Sequence, residues 1–332
     1  MSVSALNPMG FSWQQTMLRV KNGVESVKFY EKNFNMRLIH VYKFPQWSFD
    51  LYFLAILDEN ESELPFTIPS PESEKYLWNM RLGNTCLELT HNYGSESDST
   101  FQINNGNVEP FRGFGHIAFM CSDVDHSCSL LESNNVEFQK KPNEGKMKGL
   151  AFAKDLDGYW LEIIPRSSKS IRRQPYTLAQ TMLRVKDPIK SLYFYRDLLG
   201  MTLLRESHYS DFSLYFLAHL PEGTIIPIDE DEKREYIKNM FIPVLELTHN
   251  HGTENNPDFS YHNGNDQDKG QLRGFGHIGF LCDNLDESCS YLESKGVNFK
   301  KKPTEGTMRN LAFAYDPDNY WIEIIQRNGI TM

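Results

Sequence analysis

The sequence contains no C-x-x-C pair, no low-complexity tract and no apolar run long enough to cross a bilayer. Each absence removes a class of protein. Five cysteines (Cys86, Cys121, Cys128, Cys282 and Cys289) are too few and odd in number for a disulfide framework, and their spacing does not suit a zinc-thiolate site. They read as packed, reduced thiols; Cys121/Cys128 and Cys282/Cys289 share a seven-residue spacing, and a redox pair is the lesser alternative. Positive charge is also scarce, 34 Lys and Arg against 44 Asp and Glu, and a net charge of −10 repels nucleic-acid backbones and anionic membranes. Neither partner is expected. The opening stretch MSVSALNPMGFSW has no basic and no apolar signal region, which points to the cytoplasm.

What is present is a duplicated chain. QTMLRVK at 15–21 recurs at 180–186, LELTHN at 87–92 recurs at 245–250, and RGFGHI at 112–117 recurs at 273–278. Between 140–164 and 301–325, 17 of 25 aligned positions are identical. The expected halves are 1–168 and 174–332, joined by the polar, basic segment 167–176 as a linker. With 332 residues and 40% hydrophobic residues, two packed domains are the natural reading.

Each half splits again. Apolar periodicity reads WQQTMLRV as a strand, VESVKFYEKNF as a helix, and MRLIHVYKF, FDLYFLAIL and NTCLELTH as three more strands. After the polar loop 94–111 the order repeats, ending in hairpins at Asp157-Gly158 and Asp318-Asn319, where turns need residues tolerant of positive φ. The predicted fold class is α+β: four βαβββ modules, near 11–95, 110–166, 176–253 and 271–328, pairing into two cupped, half-barrel sites.

Alternation along strands then sorts polar residues by face. Gln15, Met17 and Arg19 share one; Glu88, Thr90 and Asn92 share one; Arg112, Phe114 and His116 are in phase. An acid inside an apolar strand is costly to bury unless paired or metal-bound. For one such Glu a solvent-facing position is the better reading, and for one His a hydrogen-bonded core position. Four equivalent acids, Glu88, Glu162, Glu246 and Glu323, with His116 and His277 and with Gln15 and Gln180, shift the reading toward two metal sites. His91 and His249 are out of phase with Glu88 and Glu246 and are excluded as ligands. One imidazole, two carboxylates and an amide oxygen suit Zn, Ni, Co, Fe or Mn with open positions, not a closed structural zinc.

Together QQTMLRVKNGVESVKFY, SLYFLA, LELTHNHGTE, RGFGHIGF and GKMKGLAFAKDLDGYWLEII closely resemble the glyoxalase I family of the vicinal oxygen chelate superfamily, in its two-domain, single-chain yeast-type form. The resemblance covers nearly the whole chain, twice. It implies isomerisation of the methylglyoxal-glutathione hemithioacetal to S-lactoylglutathione through a metal-stabilised enediolate, that is, methylglyoxal detoxification. It also implies two divalent metals per chain, zinc being favoured, glutathione as part of the substrate, and a monomer in which fused halves replace a dimer. Crossed sites are implied: Gln15, Glu88, His277 and Glu323 (site A), and Gln180, Glu246, His116 and Glu162 (site B). Glu162 and Glu323 are the implied bases. Arg19, Asn92, Arg112, Lys146, Met147, Arg184, Asn250, Arg273, Thr307 and Met308 are the implied substrate contacts.

One departure stands out: Lys146 in one copy is Thr307 in the other, so unequal substrate affinity is expected. The alternatives are another metalloenzyme of the superfamily (a dioxygenase, epimerase or thiol transferase) or a non-catalytic binding relative. A ring-cleaving iron dioxygenase needs a second histidine where Gln15 and Gln180 stand, and a simple binder has no need of a full ligand set at both sites.

Overall fold

In the computed structural model, which describes residues 7–59, 61, 63–79, 85–265, 273–306 and 308–327, the alternating segment SWQQTMLRV forms β1 (Ser12–Val20). The first module continues with α1 (Gly23–Phe34), β2 (Arg37–Phe44), β3 (Phe49–Ala55), α2 (Pro71–Trp78) and β4 (Cys86–Asn92). The second holds β5 (Phe114–Cys121), α3 (Val124–Ser133), β6 (Phe138–Lys140), β7 (Ala151–Lys154) and β8 (Trp160–Pro165). The third holds β9 (Tyr176–Val185), α4 (Pro188–Leu192) running into a π-helical turn at Tyr193–Leu198, β10 (Thr202–His208), β11 (Phe212–Ala218), α5 (Glu230–Asn239) and β12 (Val244–Asn250). The fourth holds β13 (Phe275–Cys282), α6 (Leu285–Ser294), β14 (Phe299–Lys301), β15 (Leu311–Tyr315) and β16 (Trp321–Gln326).

A four-stranded module leaves an open edge strand on each side, and an open edge invites another strand. Here the modules satisfy each other. β1 pairs antiparallel with β13 and β9 pairs antiparallel with β5, giving two eight-stranded sheets ordered β14-β15-β16-β13-β1-β4-β3-β2 and β10-β11-β12-β9-β5-β8-β7-β6. Each sheet therefore joins a module from one half to a module from the other. The second sheet is continuous in sequence, whereas the first is assembled from the segments that flank it on either side.

Alternation divides the two faces of each sheet. Leu18, Val20, Leu87 and Leu89 enter the core shared by both sheets, while Met17, Arg19, Glu88 and Thr90 line a cavity on the opposite face. The shared core is aromatic: Phe114 stacks on Phe275 at 5.1 Å between ring centroids, and Phe34 stacks on Phe119 at 4.3 Å. Burying one such side chain contributes about 1.5–3 kcal/mol. α1 is started by Asn22, whose side chain accepts from the Glu25 amide, and ended by Asn35 in the left-handed region.

The RGFGH motif has a local explanation. A Cβ on Gly113 would lie 1.9 Å from the His262 carbonyl oxygen, and one on Gly274 1.8 Å from that of Asn104, so only glycine lets these chains pass. The ladder between β5 and β9 shifts register between Phe114 and His116, a bulge that corrects the expected phase: Phe114 turns into the core while His116 faces the cavity.

Two further differences from the sequence reading concern segments without clear periodicity. α2 and α5 are helices absent from the simple βαβββ pattern; α5, EDEKREYIKN, is polar on most positions, and its helicity rests on Asp229 capping the Asp231 and Glu232 amides. The segment 167–176 is no loose tether. Gln174 is buried with its amide donating to the Leu57 carbonyl, Arg172 lies 4.5 Å from the Phe241 ring centre, and Tyr176 already belongs to β9. The turns at Gly158 and Asn319 do adopt positive φ.

Candidate metal centres

Four adjacent strands, β16, β13, β1 and β4, each carry one candidate ligand into the first cavity. The Gln15 amide nitrogen lies 2.8 Å from Glu323 Oε2 and 3.1 Å from His277 Nε2, and it also contacts Glu88 Oε2. His277 Nε2 is 3.2 Å from Glu88 Oε2 and 3.0 Å from Glu323 Oε2. All four side chains are buried. Gln15 and Glu88 come from one half, His277 and Glu323 from the other.

The second cavity repeats the arrangement with the halves exchanged. Gln180 Nε2 lies 2.5 Å from Glu246 Oε2, 2.9 Å from Glu162 Oε2 and 3.2 Å from His116 Nε2. His116 Nε2 is 3.3 Å from Glu162 Oε2 and 3.9 Å from Glu246 Oε2. Among the described residues, Glu88/His277/Glu323 and His116/Glu162/Glu246 are the groups of three His, Cys, Asp or Glu whose ligand atoms converge within 4.8 Å. His91 and His249 instead meet the exposed acids Glu96 and Glu254, away from both centres.

The electrostatics of these clusters are those of sites short of positive charge. Burial alone would lower each imidazole, but at His277 the carboxylates of Glu323 and Glu88 outweigh it and bring the pKa up to about 9. Glu162 and Glu246 likewise hold His116 above its ordinary value against burial. Burial raises Glu88 and Glu246, since each is a carboxylate out of water beside a second one. Gln15 Oε1 is buried with no hydrogen-bond partner. With the Gln15 amide turned over, its oxygen would join two carboxylates and an imidazole nitrogen around one point, a set that fits a divalent cation satisfying that oxygen and both acids at once.

The substrate contacts inferred from resemblance distribute unevenly. Arg19, Asn92, Arg273 and Met308 line the cavity at site A. At site B, Arg184 and Met147 line the cavity, but Arg112, Lys146 and Asn250 do not. Arg112 is paired with Glu109 at 3.3 Å on the surface, and the Asn250 amide donates to Tyr261 Oη at 2.8 Å. Lys146 is exposed to solvent, and Thr307 lies outside the described residues.

Residues 13–163 and 177–324 each match the Glyoxalase/Bleomycin resistance protein/Dioxygenase superfamily. The chain is 39% identical to glyoxalase I of Saccharomyces cerevisiae over 320 residues, 93% of this chain and 90% of that one. This chain belongs to the glyoxalase I family. A lactoylglutathione lyase of Schizosaccharomyces pombe is also 39% identical, over 96% of this chain and 97% of its own. Glyoxalase I from Zea mays shares the fold, with a TM-score of 0.66 at 23% identity, covering 96% of this chain and 93% of that one.

The glyoxalase cavities also have walls that the sequence reading missed. Trp78, Phe49 and Phe53 close part of site A, and Arg205, Tyr209, Arg234 and Lys238 line part of site B. A signal was available: the segments ending at Asn79 and Asn239 align between copies, yet differ in charge at matched positions, Glu74 against Arg234 and Trp78 against Lys238.

Proposed function

We propose that this lactoylglutathione lyase works through two composite centres, each built from both halves (1–168 and 174–332) of one chain. One observation carries the reading: an amide, an imidazole and two carboxylates converge in a buried cavity, twice, with the same strand neighbours. Gln15, Glu88, His277 and Glu323 would hold one divalent cation and Gln180, Glu246, His116 and Glu162 the other, with zinc as the proposed metal. When bound, the cation supplies stabilisation of the negative charge that develops on the substrate oxygens.

The protein's own groups do the rest. Glu323 in site A and Glu162 in site B would take the proton from the carbon that bears sulfur and deliver a proton to the neighbouring carbon. The product is S-lactoylglutathione, with no net oxidation. Arg19 and Arg273, whose charge and forked donors suit carboxylates, would hold the glutathione portion in site A together with the neutral amide of Asn92, and Arg184 would do so in site B. Apolar walls such as Phe53, Leu311 and Phe313 exclude water from the reacting carbons.

A monomer suffices, because each centre already draws on both halves. A cytoplasmic location fits five buried, unpaired thiols. The test is thioester formation from methylglyoxal and glutathione, followed by chelation and metal replacement. Activity lost on chelation and regained with zinc supports the reading; no activity with the metal restored rejects it.

A further inference from the structure

The two cavities differ at one end. His40 and Arg205 occupy matching places, each following the same register shift and facing Phe53 or Phe216, which in turn face Glu88 or Glu246. α2 and α5 align through the Asn-Met pair that follows Trp78 and Lys238, so Trp78 matches Lys238 and Glu74 matches Arg234.

In site A this end is closed and, among the described residues, carries no available cation. His40 is buried, lowered by that burial, and bonded to the Ser73 hydroxyl at 2.7 Å. The Trp78 indole donates to Tyr42 Oη at 2.7 Å, and Tyr42 in turn donates to the Glu74 carboxylate. In site B, Arg205, Arg234 and Lys238 all line the cavity, which measures about 380 Å³ against about 240 Å³ in site A.

The counter-charges in site B are weak. Arg205 lies 3.9 Å from Glu230, Arg234 3.2 Å from Asp231, and Lys238 3.4 Å from Glu235, all acids on α5 itself with exposed carboxylates. Arg205 Nε is buried and makes no hydrogen bond. Exposed pairs of this kind hold their cations loosely, so an incoming anion competes with little.

Direction along the sheet separates this end from the one proposed for glutathione. Arg184 lies four residues beyond Gln180 toward the start of β8, whereas the Lys238 carbonyl accepts from the Ser167 amide at 3.2 Å, just past the end of β8. Lys238 and, one turn earlier on α5, Arg234 therefore lie toward the part of the substrate that comes from the aldehyde, while Arg205 stands level with Glu246.

We propose that site B accepts glutathione hemithioacetals of α-oxoaldehydes bearing an anionic group, a carboxylate or a phosphate, and that site A excludes them. The proposal rests on the lyase reading above. The reaction stays an isomerisation: one proton leaves the sulfur-bearing carbon and one arrives at its neighbour, a second passes from the hydroxyl oxygen to the former carbonyl oxygen, and the anionic group is untouched. The product is the glutathione thioester of an α-hydroxy acid.

The test uses the full chain as two single-site variants, Glu323→Gln leaving site B and Glu162→Gln leaving site A. Each is assayed with glutathione adducts of phenylglyoxal, para-carboxyphenylglyoxal and methylglyoxal. The expected result is a carboxyphenyl-to-phenyl ratio of kcat/KM about tenfold higher in Glu323→Gln, the size of one charge-assisted contact. Adding Arg234→Gln and Lys238→Gln to that variant should return the ratio to the value seen in Glu162→Gln. A phosphorylated α-oxoaldehyde in place of the carboxyphenyl compound separates the two anions; the larger gain names the preferred one. Equal ratios in both single-site variants overturn the proposal. Failure of both variants on methylglyoxal itself rejects the lyase reading, and this proposal with it.

Discussion

Thr16 and Thr181 join their hydroxyls at 2.7 Å across the two sheets, each one residue after a glutamine of a candidate centre. Both are buried, and the contact lies where the two copies of QTMLR cross. Replacing one threonine leaves the other hydroxyl stranded, which costs about 1–3 kcal/mol, whereas replacing both by an isosteric apolar residue comes near to neutral. Thr16→Val and Thr181→Val should each lower the denaturant midpoint, and the double variant should recover most of the loss. Additive losses in the double variant would deny that the hydroxyls act as a pair.

The crossed arrangement makes a sharper demand on paired variants. Glu88→Gln with Glu323→Gln removes two groups from one centre and should leave the other turning over. Glu88→Gln with Glu162→Gln lies wholly within the first half, yet should disable both centres. Loss of a base costs about 10²–10⁴-fold at its own site. Steady-state rates of the two double variants therefore separate crossed from uncrossed sites, and the opposite ranking would mean that each half is catalytically self-contained.

Metal removal should be legible in stability as well as rate. Two cations held only by the folded chain stabilise it by mass action, about 2.7 kcal/mol for each at a hundredfold excess over its dissociation constant. Chelator treatment should lower the melting temperature, and elemental analysis should fall from two bound metals to one in His277→Ala. A melting temperature indifferent to chelator would indicate that the buried carboxylates are balanced by protons alone.

Asp155 supplies a pH dependence remote from either centre. Burial, and then the neighbouring Asp157, raise its pKa to about 7, although it accepts from Tyr30 Oη at 2.8 Å and from the Tyr159 amide. The folded chain thus holds a proton that the unfolded chain releases at about pH 4. Its contribution is complete below pH ~4 and is lost progressively as the pH rises to about 7. Asp155→Asn should flatten stability between these limits in urea titrations, and an unchanged slope would show that the carboxyl is ionised in the fold.

Much of this molecule could be read without coordinates because the repeat multiplied weak signals. A single Glu88 in an apolar strand says little, but Glu88, Glu162, Glu246 and Glu323 in equivalent places, beside His116 and His277, define a constellation. Which modules share a sheet was not written locally: the β1–β13 seam joins residues more than two hundred positions apart, and only the resemblance pointed to the crossing. The bulge before His116 escaped strict alternation because a one-residue shift leaves no mark on hydrophobic pattern. α5 escaped because its helix is held by capping and charge rather than by an apolar stripe. That omission concealed Arg234 and Lys238, the residues that set one cavity apart from the other.

The nesting of one sheet inside the other imposes an order of birth. Every group of site B has been synthesised once Glu246 is made, whereas site A waits for Glu323, and its first strands must remain unclosed while more than two hundred residues are synthesised. Such long-range closure is slow. The inner centre can mature on a nascent chain; the outer one is a property of the finished polypeptide, and its exposed early strands are where assembly is most open to capture by chaperones.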